Sequence, residues 1–304
     1  MVKNTDKGVI AIVVTYNRKE LLKECINALK KQSYKNCRIL VVDNGSTDNT
    51  YDYIKNLIDD KKVIYKNTGE NLGGAGGFNF GVKEAYKLGC DYMWLMDDDS
   101  IVHKDSLEML LKYDKKLKGK YGFLASKVLW KDESICKMNM QRKSIFKTNV
   151  DYESKIVPVV TSSFVSFFVK TTVVEELGLP IKEFFIWTDD WEYSRRISRK
   201  YPSYLINESV VTHKCNSNFG CDIVQEKNDR LWRYNYAFRN EGYYYRREGI
   251  VGVIYILLRQ FYYLLRIVFS STKDKFKKIK IVFGKTCEGL KFNPPIEYLI
   301  DNNK

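Results

Sequence analysis

The sequence predicts an α/β fold built on a parallel sheet with helices on both faces. Three observations predict it. Strand and helix patterns alternate through the first 130 residues. The strand segments are continuous apolar, β-branched runs, as in strands buried on both faces. Polar clusters follow four of these runs directly, which gathers them at the carboxyl edge of a parallel sheet, where ligands bind.

Residues 9–15 are the first such run, and Tyr16, Asn17 and Arg18 follow it. Residues 19–31 set Leu21, Leu22, Cys25, Ile26 and Leu29 at helical spacing. Residues 38–42 form a second strand, followed by Asp43, Asn44, Gly45 and Ser46. Residues 48–58 read as a helix with Thr47 or Asp48 as its N-cap. Residues 62–66 are a third, short strand; a polar, glycine-rich stretch follows, and 74–88 continues as a helix. Residues 92–96 are a fourth strand, closed by Asp97, Asp98 and Asp99, and 106–117 is again helical. Helices between parallel neighbours imply right-handed crossovers. The middle, 121–168, is less regular. Residues 164–169 read as a buried strand, 184–200 as an acidic cluster opening a basic helix, and 204–211 as a strand leading to His213. Two regions are expected: 1–228, which carries the sheet and its polar clusters, and 229–304, helical, basic and aromatic.

At 304 residues, 44% hydrophobic and 14% aromatic, the chain is long enough for a sizeable core, and its composition excludes a disordered protein. Lys and Arg total 51 against 37 acidic residues, a net charge of +14. Such an excess favours an anionic partner: nucleic acid, an anionic membrane surface or a phosphorylated ligand. The seven cysteines are scattered and form no CxxC pair. This argues against a disulfide framework and a structural zinc site, and for a reducing cytosol. Residues 1–7 are polar and offer no signal-peptide core, and nothing in the first 240 residues is apolar enough to span a membrane.

The polar clusters point to a site. In Asp97-Asp98-Asp99, carboxylates at alternate positions point the same way on extended backbone. Two of them are able to hold one hard divalent cation, with a diphosphate supplying further oxygens. The bland alternative is an acidic first turn of a helix, favoured by its dipole. Asp43 is suited to accept hydrogen bonds from a pyrimidine base, although Asn44-Gly45 is also a common turn pair. Arg18 is a candidate for phosphate oxygens. Gly73, Gly74, Gly76 and Gly77 allow close approach of a nucleotide, but the Gly-Lys-Ser/Thr ending of a P-loop is absent. Within Trp187-Thr188-Asp189-Asp190-Trp191-Glu192-Tyr193, one carboxylate is a candidate general base toward a sugar hydroxyl. Otherwise these acids are the N-cap and first turn of the helix that follows. His213, one of two histidines, is either structural or a third metal ligand.

Val13-Val14-Thr15-Tyr16-Asn17-Arg18, Val42-Asp43-Asn44-Gly45-Ser46, Asn71-Leu72-Gly73-Gly74-Ala75-Gly76-Gly77-Phe78, the aspartate triplet and the 187–193 segment occur in that order. As a set, over about residues 8–215, they resemble the family 2 glycosyltransferases of GT-A fold, with its Rossmann-like nucleotide-binding sheet. The forms Asn-Leu-Gly-Gly-x-Gly-Gly-Phe and Trp-x-Asp-Asp-x-Glu-Tyr are similar to the galactofuranosyltransferase branch, with rhamnosyltransferases nearby. The resemblance implies that Thr15, Arg18 and Asp43 bind the nucleotide, that Asn71 and Gly74 close over the donor, and that Asp97 and Asp98 contact the nucleotide-sugar. It implies Mn2+ or Mg2+ held by Asp97, Asp99 and His213. Asp190 would be the base of a one-step inverting displacement, with Trp187, Asp189 and Glu192 positioning the acceptor.

The implied donor is UDP-galactofuranose, with dTDP-rhamnose as the alternative, and the implied acceptor is a lipid-linked surface polysaccharide. The chain lacks the large flanking domains of the polymerising galactofuranosyltransferases, so a single-linkage enzyme is expected. A reading from another class is a non-catalytic nucleotide-sugar or nucleic-acid binding protein. Its support is the net charge and the Tyr/Arg-rich stretch 234–247, whose rings are able to stack bases. A binder needs no general base, so Asp190 favours the enzyme, and no nucleic-acid partner is expected.

Residues 250–269 are long enough to cross a bilayer. Arg259 and Arg266 inside the segment argue against a span. Tyr255, Tyr262 and Tyr263 supply interfacial rings, and Lys273, Lys275, Lys277, Lys278 and Lys280 follow. The segment therefore predicts a helix lying in an anionic membrane surface, at the cytoplasmic face of the cell membrane. A core helix or a homo-oligomer interface is the alternative.

Overall fold

The structure is a computed structural model and describes residues 8–59 and 61–299. Residues 1–7, where no signal peptide is expected, lie outside them. Strand β1 (Val9–Thr15) is buried along its whole length. Val9, Ala11 and Val13 face one core and Ile10, Ile12 and Val14 the other, which is why no polar residue interrupts the run before Thr15. Helix α1 (Lys19–Lys30) covers the first core with Leu22, Cys25, Ile26 and Leu29. β2 (Cys37–Asp43), α2 (Thr50–Ile58) and β3 (Val63–Asn67) follow. Neither Thr47 nor Asp48 caps α2. Asp48 instead accepts the Thr50 hydroxyl and the Lys19 amide, and Asn49, in left-handed conformation, takes the cap position.

Helix α3 (Gly73–Lys87) lies on the second core through Phe78, Val82 and Ala85. β4 (Tyr92–Asp97), β5 (Ser100–Val102), α4 (Ser106–Lys116) and β6 (Phe123–Leu129) come next. The irregular middle holds a hairpin of β7 (Arg142–Ser144) and β8 (Lys147–Thr148), then β9 (Ile156–Pro158) and β10 (Phe167–Lys170). β10 starts three residues later than the apolar run. Ser166 before it has a φ of +62°, and its hydroxyl receives the Trp94 indole N–H at 2.8 Å. α5 (Thr171–Leu177), α6 (Asp189–Ser198) and β11 (Tyr204–His213) lead to three C-terminal helices: α7 (Trp232–Arg246), α8 (Gly249–Phe269) and α9 (Lys275–Lys291).

The main sheet has the order β3-β2-β1-β4-β10-β6-β11-β5, with β9 also on β11. β3, β2, β1 and β4 are parallel, as are β6 and β11. β10 inserts antiparallel between β4 and β6, and β5 and β9 run antiparallel to β11. The four strands expected to be parallel are parallel, and the antiparallel β10, β5 and β9 make the sheet as a whole mixed. A parallel neighbour needs a long crossover, usually a helix, and β10 arrives from the helix-poor middle without one.

The expected division after residue 228 falls at the turn Asn228–Arg230. The helices beyond it pack on the sheet region. Arg239 donates to the Glu183 carbonyl at 2.6 Å, and Glu297 pairs with Lys83 and Lys182.

Candidate active site

Strand register brings the polar clusters to one edge. Thr15 lies opposite Asp43, Asp43 opposite Asn67, and Val14 opposite Asp97. Asp43 is buried; its carboxylate accepts the Ser46 amide at 2.7 Å and the Tyr65 hydroxyl. Each carboxylate oxygen has two lone pairs, so Asp43 keeps capacity for a base. Asn71 is exposed and its Oδ1 accepts the Gly73 amide at 2.9 Å.

The four glycines serve different ends. Gly73 has a φ of +73°, and a Cβ there would lie 2.1 Å from the Phe185 carbonyl oxygen. It fastens this loop to the segment before α6. A Cβ on Gly76 or Gly77 would strike Leu72 or Val14, so those two serve packing rather than a ligand. Gly74 alone of the four has nothing within 4 Å of that position, and its backbone is open to approach.

The aspartate triplet ends β4 and opens no helix; α4 starts at Ser106. Pairing of β5 with β11 sets His213 opposite Ser100, and the Lys214 amide bonds the Asp99 carbonyl at 2.8 Å. His213 Nε2 is then 2.9 Å from Asp99 Oδ1, and Nδ1 is 2.7 Å from Asn139 Oδ1. Ligand atoms of Asp97, Asp99 and His213 all lie within 4.8 Å of one another. Asp98 accepts the Thr15 hydroxyl at 2.7 Å and Arg18 Nη1 at 3.3 Å. Arg18 also reaches Asp99 at 2.8 Å, so it offsets part of the charge of the triplet. Its guanidinium has five donors in all, which leaves others for a phosphate.

Burial pushes Asp97 up to about 6, with the Asp99 charge adding to it. Burial likewise pushes Asp98 up to about 7. Burial also works against the Asp99 charge, but the close contact with His213 prevails and holds Asp99 low. The same contact outweighs burial at His213 and lifts the imidazole to about 12. Two crowded carboxylates and an imidazole fit a divalent cation. Mg2+ or Mn2+ suits the oxygens, and Mn2+ takes the nitrogen more readily. Asn139 anchors the ring from behind, as the outer partners of metal-binding histidines do. The fold also gathers two of the scattered cysteines here: Cys136 and Cys215 flank His213.

Asp189 and Asp190 occupy the first turn of α6. The chain enters it through Phe185, Trp187 and Thr188, all with positive φ. Such backbone costs on the order of 1–3 kcal/mol per residue and persists only where neighbours impose it. The fully buried Asn240 of α7 imposes it: its Nδ2 lies within 2.9–3.2 Å of the carbonyl oxygens of Phe184, Ile186 and Trp187. The Trp187 ring packs edge-on against Tyr234 at 5.3 Å. Burial pushes Asp189 well above the usual carboxylate range, with Asp190 adding to it. Burial also raises Asp190 to about 7, against the opposing Trp191 amide, which it accepts at 2.8 Å. The Asp97 charge adds to the rise at both groups. Glu192 has a partner of its own: Arg196 grips it through two bonds, at 3.0 and 2.8 Å.

Three residues near the site carry no sequence signal: Asn139, Asn240 and Arg142. The Arg142 guanidinium stacks 3.9 Å over the Trp191 ring, and its charge opposes the rise at Asp190. Each is a common residue type outside any motif, and only the fold gives it a place.

The fold and the site define a glycosyltransferase of GT-A type. The chain belongs to glycosyl transferase family 2, whose model matches residues 10–169. Among curated proteins, it is 27% identical to the galactofuranosyltransferase GlfT1 of Mycolicibacterium smegmatis over 269 residues, covering 80% of this chain and 84% of that one. The GlfT1 of Mycobacterium tuberculosis is 25% identical over 270 residues, with the same coverage. Among solved structures, S. aureus TarS 1-349 superposes with a TM-score of 0.55 at 14% identity, over 91% of this chain and 71% of that one. The same TarS piece in complex with UDP gives 0.56 at 13% identity, over 94% and 72%. At such identity these structures share the fold.

Proposed function

We propose that the protein transfers galactofuranose from UDP-galactofuranose to a hydroxyl of a lipid-linked surface polysaccharide intermediate, in one step with inversion. The observation that carries this reading is that Asp97, Asp99 and His213 bring their ligand atoms within 4.8 Å at the sheet edge, while the glycine-rich loop of that edge packs on the Phe185 carbonyl, in the segment that leads into Asp189 and Asp190. A donor-binding edge and a proton acceptor in one site are what a transferase needs and a binder does not. Support for the sugar is the wording of the glycine-rich and 187–193 segments, together with the two mycobacterial relatives that match most of the chain.

Thr15, Arg18 and Asp43 hold the nucleotide, with Asn71 and the open backbone of Gly74 at the lip. Asp97, Asp99 and His213 would hold Mn2+ or Mg2+, which would supply positive charge for the departing diphosphate. The acceptor hydroxyl oxygen attacks the anomeric carbon while the bond from that carbon to the β-phosphate oxygen breaks. UDP leaves with the electron pair, and the hydroxyl proton passes to Asp190. Asp189, whose protonated form burial favours, is placed to hydrogen-bond the acceptor, with Trp187 and Glu192 shaping its seat.

A donor screen tests the reading. Purified protein is offered UDP- and dTDP-sugars with a lipid-linked acceptor, and release of nucleoside diphosphate is measured. Release from UDP-galactofuranose is expected. Release from dTDP-rhamnose alone replaces the sugar. Binding without release from any donor favours the non-catalytic alternative.

A further inference from the structure

Helix α8 is apolar on the outside. Ile254, Leu258, Phe261, Leu265 and Phe269 recur at spacings of three and four, and each is at least 41% exposed. That spacing puts them on one stripe. The opposite side packs on protein along its length through Gly252, Ile256, Gln260 and Ile267. Arg259 and Arg266 also face the protein: Arg259 pairs with Glu241 of α7 at 2.8 Å, and Arg266 with Asp222 at 2.5 Å. Phe276 and Phe283 extend the exposed apolar surface onto α9, 82% and 65% exposed, with exposed Lys277 and Lys280 between them. Exposed Lys273 stands in the turn between the helices. An open patch of this size on a soluble domain marks an interaction surface.

We infer that this α8–α9 surface docks, without spanning, on an anionic phospholipid bilayer. The charge decides the occupant. A second copy of this chain carries the same +14 and would bring like charge to the patch, whereas an anionic lipid surface brings the opposite sign. Spanning is excluded by the back of α8, where two ion pairs tie the helix to charged residues of the globular part; drawing it across a bilayer would strand all four charges. The stripe itself is free of charge and seats at headgroup depth, with the lysines beside it. Two details of the sequence expectation change. Lys278 is buried and donates to the Val224 and Glu226 carbonyls, each at 3.0 Å, so it meets no headgroup. Tyr255 and Tyr263 pack on Tyr245 and Phe238, which leaves Tyr262 as the outward ring.

Flotation of the full chain with phosphatidylglycerol-containing vesicles and with pure phosphatidylcholine vesicles tests this, independently of any transfer activity. Flotation with the anionic vesicles is expected, reduced about ten-fold or more in high salt. Leu258→Glu with Phe261→Glu is expected to abolish it with unchanged circular dichroism. Lys273→Glu with Lys280→Glu, a change confined to exposed side chains, is expected to weaken it without touching the apolar stripe. Equal flotation with both vesicle types, insensitive to salt and to the lysine changes, overturns the anionic docking. Protein that stays with membranes through alkaline carbonate overturns the non-spanning reading. Protein that ignores vesicles and elutes as a dimer, which Leu258→Glu with Phe261→Glu splits, makes the patch an interface between copies and overturns the proposal.

Discussion

His213 Nε2 stands 2.9 Å from Asp99 Oδ1, and this contact joins the last strand before the C-terminal helices to the acidic end of β4. It also sets the electrostatic state of the site. Without a cation, the protonated imidazole and Arg18 are the counter-charges of the half-buried Asp97 and the buried Asp98 and Asp99.

Metal removal follows from that arrangement. A cation at Asp97, Asp99 and His213 displaces the His213 proton, so its affinity rises with pH. Treatment with EDTA is expected to abolish transfer, and Mn2+ or Mg2+ to restore it. Asp97 and Asp98 have folded values raised above the unfolded ones, so their contribution to stability is present in acid and is lost as pH rises through about 6 to 7. The melting temperature of the metal-free protein should therefore fall between pH 5 and pH 8, and added Mn2+ should recover more of it at pH 8. Full activity in EDTA rules the metal out and leaves the leaving group to cationic side chains such as Arg18.

Asp190→Asn keeps the size of the side chain and removes proton acceptance. Turnover should drop by about 10²–10⁴-fold, while the donor dissociation constant, read by calorimetry with UDP, stays near that of the wild type. Should Asp189→Asn be inactive and Asp190→Asn active, the base is the neighbouring residue.

The pH profile carries a sign. Burial raises Asp190 to about 7, and a base works only when unprotonated. Turnover should rise with pH and level off above neutrality, with the midpoint of the acid limb near 7. A midpoint at an ordinary carboxylate value of about 4 would show that substrate binding removes the desolvation, or that Asp190 is not the base.

Gly73→Ala forces a Cβ onto the Phe185 carbonyl at a positive φ. Gly74→Ala enters open space. The first should lower stability, measured by thermal shift, by about 1–3 kcal/mol. The second should leave stability unchanged and weaken donor binding. The reverse order would mean that the two loops do not pack as described.

Much of this was legible in the sequence because the strands of the first half are buried on both faces. Residues 9–14 and 92–96 are unbroken apolar runs, and the clusters behind them fall where parallel register puts them. The middle was not legible. β10 is four residues long, and nothing in it says that it runs antiparallel between β4 and β6. The helix cap at Asn49 was missed because Asp48 found a tertiary partner in Lys19. Lys278 read as one more surface lysine, yet its stem packs inward and its three donors meet Val224, Glu226 and Thr272. Asn139 and Asn240 are the clearest losses. An asparagine outside a motif reads as a turn residue, and its value here lies in partners 74 and 53 to 56 positions away.

Asn240 has a consequence for how this enzyme is handled. Its amide stitches together the turn that presents Asp189 and Asp190, yet it belongs to α7, the first of the helices a molecular biologist would trim to gain a tractable soluble fragment. Removing everything past residue 228 would discard the brace along with the greasy helix, and would uncover Ala75, Ile181 and Phe184, which Tyr243 of α7 helps to bury. Solubility has to come from repainting the outer surface of α8 while α7 stays in place.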